Sequence, residues 1–314
     1  MAFEKISGYF DSTNGTDRVA YYIYEPASAP RMIVQIVHGM CEYLERYEDF
    51  AGFLCSNGIL VCGHDHLGHG KTAGSPEKLG YFAPERGWQF LAKDTVRLTR
   101  MIRDQYPGIP CFILGHSMGS LVTRTVLAKY SYLYDGAVLM GTLNHKHGTD
   151  LLLAGTKAAR EIGDEYRRSS ALDKLIFGLN NSRIENASSE FSWISRDEEL
   201  VEKYENDPYC TFKFTVSAYA DLVFLVNYVS GKKWAEKLDK ELPVYICSGD
   251  EDPIGSYGRA PKEVFNMLND AGLTDIELKL YNGARHELLN ETNRAEVYED
   301  MLKWLDAHAF ITKQ

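Results

Sequence analysis

The sequence predicts an α/β fold with a mostly parallel central sheet, and three observations carry that expectation. Short apolar runs of strand length recur along the chain, separated by longer amphipathic stretches of helix length. Two runs near the start, 6–10 and 18–24, flank Asp11-Ser12-Thr13-Asn14-Gly15-Thr16-Asp17, the pattern of an opening antiparallel hairpin. One stretch, 143–214, breaks the alternation with helix-like patterns and polar connectors but no strand-like run. Strands alternating with helices imply a parallel sheet covered on both faces. The break reads as an inserted helical cap, because a compact domain rarely tolerates so long a loop.

Each element has a local reason. Pro26 and Pro30 close the hairpin, and Arg31 to Val37 is a buried-strand run ending in His38-Gly39-Met40. An amphipathic helix is expected over about Arg46 to Ser56, stopped by Asn57-Gly58. The strand Ile59 to Cys62 leads into Asp65-His66-Leu67-Gly68-His69-Gly70. A long helix, roughly Glu85 to Tyr106, ends at Pro107-Gly108, and Cys111 to Leu114 begins the next strand. Another strand is expected near Ala137 to Met140. Within the break, Leu151–Ile162 and Leu172–Leu179 carry helical patterns, and Asn180-Asn181-Ser182 is a polar connector. The alternation resumes with a helix around Ala218–Ser230, strands Val244–Cys247 and Ile276–Tyr281, and helices near Lys262–Asn269 and Arg294–His308. The resulting organisation is a core over 1–142, a cap over 143–214 and the rest of the core over 215–314.

Composition narrows the class. The 314 residues are 45% hydrophobic and 12% aromatic, enough for a sizeable core. With 34 Lys plus Arg against 44 Asp plus Glu the net charge is −10, which argues against a nucleic-acid surface. No run approaches the length of a membrane span. The start, Met1-Ala2-Phe3-Glu4-Lys5, has neither the charged region nor the apolar stretch of a signal peptide, so a soluble cytoplasmic protein is expected. The six cysteines (41, 55, 62, 111, 210 and 247) form no Cys-x-x-Cys pair, and Cys62, Cys111 and Cys247 fall in strand-like runs as small core residues.

The chemistry concentrates at Gly115-His116-Ser117-Met118-Gly119, a G-x-S-x-G between an apolar strand and a helix that buries Leu121, Val122, Thr125, Val126 and Ala128. In that context the motif is a nucleophile elbow: the turn strains the serine and lifts its hydroxyl clear of the sheet. A serine hydroxyl needs a base, and the base an orienting carboxylate, in the chain order Ser, acid, His. His286 follows a late strand by a short Gly-containing loop and is the candidate base. Asp250, Glu251 and Asp252 compete for the acid after strand 244–247. Asp252 is favoured because Pro253 biases it towards an extended conformation and it lies far enough past the strand to reach sideways. The oxyanion of a tetrahedral intermediate needs backbone donors. Met118 N–H, after the nucleophile, and Met40 N–H, after the first long strand, are the candidates. His64, His66 and His69 lack metal-ligand spacing and a fourth ligand, so they are expected to form a structural loop beside the active site, with no metal.

These motifs resemble the monoacylglycerol lipase and lysophospholipase branch of the α/β-hydrolase fold. The likeness is densest at His38-Gly39-Met40-Cys41-Glu42 with Arg46-Tyr47, Asp65-His66-Leu67-Gly68-His69-Gly70, the elbow, Gly249-Asp250-Glu251-Asp252-Pro253, and Gly283-Ala284-Arg285-His286-Glu287-Leu288-Leu289-Asn290-Glu291. In the cap, Phe191-Ser192-Trp193-Ile194-Ser195-Arg196-Asp197 and Asp207-Pro208-Tyr209-Cys210 resemble bacterial lysophospholipase-like members. The resemblance implies a triad of Ser117, Asp252 and His286, an oxyanion hole at Met40 and Met118, and no cofactor. It also implies hydrolysis of carboxylic esters, often of single-chain lipids. The position of Met40 often carries a small residue in the family; the methionine keeps the backbone donor and narrows the pocket mouth.

The expected activity is therefore a serine carboxylic ester hydrolase acting through an acyl-enzyme on lipid mono-esters. Esterase action on acetyl or feruloyl-like esters is the nearest alternative. An aminopeptidase would need a cap carboxylate such as Glu161, Asp164, Glu165 or Glu190 to grip the amine, and a non-catalytic scaffold would not need all three triad residues. Leu152 and Phe177, in the apolar runs of the cap, are candidate substrate-binding residues, and the cap is the expected point of any transient contact with a lipid surface.

Overall fold

A computed structural model describes residues 3–144 and 166–309. In chain order the elements are β1 (Phe3–Asp11), β2 (Arg18–Pro26), β3 (Met32–Val37), α1 (Glu48–Ser56), β4 (Ile59–His64), α2 (Gly87–Gln105), β5 (Cys111–His116), α3 (Met118–Tyr130) and β6 (Gly136–Met140). Then follow α4 (Ser170–Phe177), α5 (Glu198–Glu205), α6 (Val216–Val229), α7 (Lys232–Ala235), β7 (Val244–Gly249), α8 (Arg259–Asp270), β8 (Ile276–Tyr281) and α9 (Arg294–His308). The eight strands form one sheet in the order β1-β2-β4-β3-β5-β6-β7-β8. Only the β1/β2 and β2/β4 pairings are antiparallel; the rest are parallel.

The period of two along each strand sorts side chains into two cores. Ile33, Leu60, Cys62, Cys111 and Ile113 pack on one face beneath α2, α3, α6 and α8. Val34, Ile36, Ile59, Val61, Phe112 and Leu114 pack on the other beneath α1 and α9. Gln35, wholly buried among the first set, is satisfied by donating to the Thr95 carbonyl (3.0 Å) and accepting from Thr99 (2.7 Å) on α2. All six cysteines are buried free thiols.

Differences from the expected elements are local. The helix expected from Arg46 splits into a 3₁₀ turn, Leu44–Tyr47, followed by α1. The helical pattern Leu172–Leu179 appears as α4, capped by the Ser169 hydroxyl, which accepts from Leu172 N–H. α5 is an addition to the sequence reading; its Asp197 cap accepts from Leu200 N–H, and it buries only Val201 and Tyr204. The helical pattern Leu151–Ile162, with Leu152, lies outside the described residues. Among the described residues no helix is long and apolar enough to cross a membrane.

Candidate active site

The parallel strands direct their carboxyl ends to one edge, and three of the loops leaving that edge meet there. The first follows β5. Ser117 adopts φ +52° and ψ −120°, a conformation that L-residues rarely occupy, and its N–H donates to the Met140 carbonyl at 3.0 Å. The flanking glycines have a steric reason. A Cβ at Gly119 would sit 1.9 Å from the Val37 carbonyl oxygen, and one at Gly115 would sit 2.4 Å from Thr123 Oγ1 and 2.6 Å from the Gly119 oxygen. The close approach at Gly119 is thus to the end of β3, while Gly115 clears the helix that follows. Met118 opens α3, so its N–H is one of the first-turn amides with no carbonyl one turn back.

The second and third loops follow β7 and β8. His286 is buried and its Nδ1 lies 2.9 Å from Asp252 Oδ2. Asp252 is fully buried, and its carboxylate also accepts from Ile254 N–H at 2.9 Å and from the Ser248 hydroxyl at 3.3 Å. Three contacts on one carboxylate fix its plane. Asp250 turns away, accepting from Gly283 N–H at 2.6 Å, and Glu251 is exposed. Of the three competing carboxylates, Asp252 is the one in contact with His286. The rings of His116 and His286 are 4.8 Å apart, which brings the third loop to the elbow.

The turn after β3 completes the edge. Gly39 lies against the elbow, where a Cβ would come within 3.1 Å of Ser117 Cβ. Its N–H donates to the Glu42 carboxylate and Cys41 N–H donates to His69 Nε2 at 3.3 Å, while among the described residues the Met40 N–H between them has no acceptor. His66 N–H donates to His38 Nε2 at 2.9 Å. His38, His64, His66 and His69 are all buried, with the His38 ring 4.4 Å from His66 and 5.1 Å from His69. They form a packed support under the turn.

One residue was not singled out from the sequence. Trp193 lies 5.3 Å from the His286 ring and stacks on Phe177 at 6.2 Å and 16°. Its turn is fastened to the histidine loop. Arg285 donates to the carbonyls of Ser192 and Ser195 at 2.7 and 2.9 Å, Glu287 N–H donates to the Ile194 carbonyl at 2.7 Å, and buried Glu291 accepts from Arg196 Nε at 2.8 Å. In the sequence it stood only within the cap motif Phe191-Ser192-Trp193-Ile194-Ser195-Arg196-Asp197; its position depends on contacts about a hundred residues apart. Glu190, a candidate amine ligand, is exposed, and Glu161, Asp164 and Glu165 lie outside the described residues.

Among the described residues, a group of metal-type donors lies at the other end of the sheet: Asp275, Glu277 and His308. There His308 Nδ1 faces the Trp304 carbonyl at 2.7 Å and Nε2 faces Asp275 at 3.3 Å, so both ring nitrogens are engaged within the protein.

The family described as serine aminopeptidase, S33, a hydrolase family, matches residues 28–293. The chain belongs to this family. Within the serine aminopeptidase S33 family, it is 27% identical to a monoacylglycerol lipase of Mycolicibacterium smegmatis over 296 residues, covering 94% of this chain and 95% of the relative. It is 26% identical to human monoglyceride lipase over 285 residues, 90% of this chain and 84% of that one. The structure of a thermostable carboxyl esterase from Bacillus coagulans superimposes with a TM-score of 0.91 at 33% identity, covering 98% of this chain and 99% of that chain. The S33 member described here is thus an ester hydrolase of the serine type, on the α/β-hydrolase fold.

Proposed function

We propose that this protein hydrolyses lipid mono-esters, of the monoacylglycerol or lysophospholipid type, through an acyl-enzyme on Ser117. The observation that carries this reading is the stack of Phe177 on Trp193 beside His286, an apolar surface suited to an acyl chain. His286 takes the serine proton through Nε2, since Nδ1–H is directed at Asp252. The serine oxygen attacks the ester carbonyl, and Met40 and Met118 N–H receive the oxyanion. The protonated His286 then gives its proton to the departing alcohol, and a water activated by the same imidazole releases the acid. The segment 143–214 acts as the cap. Leu175 and Leu179, 70% and 80% exposed, favour contact with a lipid surface, driven by apolar area because the net charge of −10 offers no attraction to anionic surfaces.

The test is a series of p-nitrophenyl esters from acetate to palmitate, with monoacylglycerol alongside and Ser117→Ala as control. Activity should peak at medium or long chains and vanish in the variant. A peak at acetate with monoacylglycerol untouched would move the substrate to small or aromatic esters and overturn the lipid reading.

That apolar surface makes a second prediction. Phe177→Ser and Trp193→Ala should each lower kcat/KM for long acyl esters by about tenfold relative to acetate, the cost of losing one to two kcal/mol of apolar contact. A folded variant with an unchanged chain-length profile would exclude these residues from the pocket.

A further inference from the structure

Beneath the candidate oxyanion turn lies a second set of ionisable groups that the triad does not use. Glu42, from the turn after β3, accepts from Gly39 N–H and from the Tyr47 hydroxyl, the latter at 2.9 Å. Arg46 forks onto Glu287, the residue after the candidate base, at 2.8 and 2.7 Å, and reaches Glu42 at 3.3 Å. His116, the residue before the candidate nucleophile, places Nδ1 2.8 Å from Glu42 Oε1 and Nε2 3.3 Å from the backbone carbonyl of His286. Glu42, Glu287 and His116 are buried, and Arg46 is covered by the ring of Tyr204 at 4.8 Å.

The hydrogen-bond roles decide the protonation of His116. A neutral imidazole offers one N–H and one bare nitrogen. Here Nδ1 faces a carboxylate and Nε2 faces a carbonyl, both acceptors. The Tyr47 oxygen, 3.1 Å from Nδ1, has its own hydrogen directed at Glu42 and so presents lone pairs too. Only the doubly protonated ring matches both sides. Charge balance agrees: Glu42 and Glu287 carry two negative charges, and Arg46 supplies one positive. A neutral His116 would leave one net negative charge buried under the site where an oxyanion develops.

We propose that His116 is carried as an imidazolium at neutral pH and is a positioning residue. It neutralises the cluster and ties the backbone of the base, through the His286 carbonyl, to the Glu42 carboxylate that holds Gly39. This rests on the catalytic roles proposed for Ser117 and His286. The groups facing the ring are Glu42, Arg46 and Tyr47 from the segment after β3, and His286 and Glu287 from the loop after β8; His38, near Glu42, is pushed down to about 3 by burial and carries no charge at neutral pH. Burial alone pushes the His116 imidazole down, and Glu42, then Glu287 and the His286 carbonyl, reverse this and leave it raised. Burial likewise pushes the Glu42 carboxyl up, and His116 and Arg46 more than reverse it.

The test is ¹⁵N-edited NMR of the imidazole N–H groups in the full chain from pH 6 to 8, with kcat/KM pH profiles beside it. The signals absent from His116→Gln should report two protons on His116 across that range. His116→Gln leaves the cluster with one uncompensated negative charge near His286. The acid limb of kcat/KM should then move to higher pH by about one unit. Should His116→Gln fail to fold, Glu42→Gln carries the test: without its carboxylate partner His116 should show a single N–H at neutral pH. One N–H on His116 in the unmodified protein, or an acid limb that superimposes in His116→Gln, would overturn the proposal. A residue that only filled space would lower folded yield without moving that limb. Failure of the serine reading would appear separately, as ester hydrolysis that survives Ser117→Ala.

Discussion

Asp252→Asn should lower kcat for ester hydrolysis by about 10⁴, while Asp250→Asn should change it by less than about threefold. The two positions are two residues apart on one loop, so chain position alone predicts no such gulf. Asp252 is fully buried and accepts from His286, Ser248 and Ile254 at 2.9, 3.3 and 2.9 Å. An asparagine of the same shape keeps most of those contacts but can present its amide N–H to Nδ1. That would favour the tautomer with the hydrogen on Nε2, the nitrogen that must be bare in the proposed mechanism. Among the described residues the Asp250 carboxylate accepts from Gly283 N–H, at 2.6 Å, an acceptor role that the asparagine oxygen retains. Steady-state kinetics on one ester for both variants, with thermal melts to show both are folded, makes the comparison. Equal losses in the two would remove Asp252 from the proposed triad.

The contrast between these neighbours shows what a sequence can disclose. The elbow was legible because its causes are local: Cys111–His116 alternates between two cores, and Gly115 and Gly119 stand where a Cβ would strike backbone or side-chain atoms. The order of serine, late acid and late histidine was legible because parallel strands send their carboxyl ends to one edge. Trp193 was not legible. It reaches His286 because Arg285, Glu287 and Glu291 bind its turn, and no periodicity records a hydrogen bond spanning some ninety residues. α5 was missed for a different reason: it is short, and only Val201 and Tyr204 are buried, too few to set a helical stripe. Arg46 and Glu287 were both visible as motif residues, yet their pairing joins positions 241 apart and belongs to the fold alone.

The same buried histidines that support the turn after β3 should make the protein acid-labile, losing about 4 kcal/mol of stability per pH unit between roughly pH 5.5 and 4.5. Burial, with help from His69, pushes His38 down to about 3; burial pushes His64 to about 3 and His69 to about 4, and holds His66 well below its ordinary value. The ring nitrogens of His64 and His66 have no hydrogen-bond partner among the described residues, so nothing there welcomes a second proton. In the unfolded chain these groups titrate near 6.5. Their contribution is therefore fully present above that pH and is lost as pH falls towards their folded values, because only the unfolded state takes up the protons. Asp65 opposes this: burial raises its carboxyl to about 6, so in the same window the folded state holds a proton the unfolded state has released. Four protons gained against one leaves a net uptake of about three on unfolding. A domain of ordinary stability, about 5–15 kcal/mol, then approaches its midpoint within one to a few pH units. Urea unfolding at pH 7, 6, 5 and 4.5 measures the slope, and His64→Phe, which removes one titrating ring and keeps an aromatic in its place, should reduce it by about one proton. A stability that stays flat from pH 7 to 4.5 would mean that the four rings accept protons without loosening the turn they support.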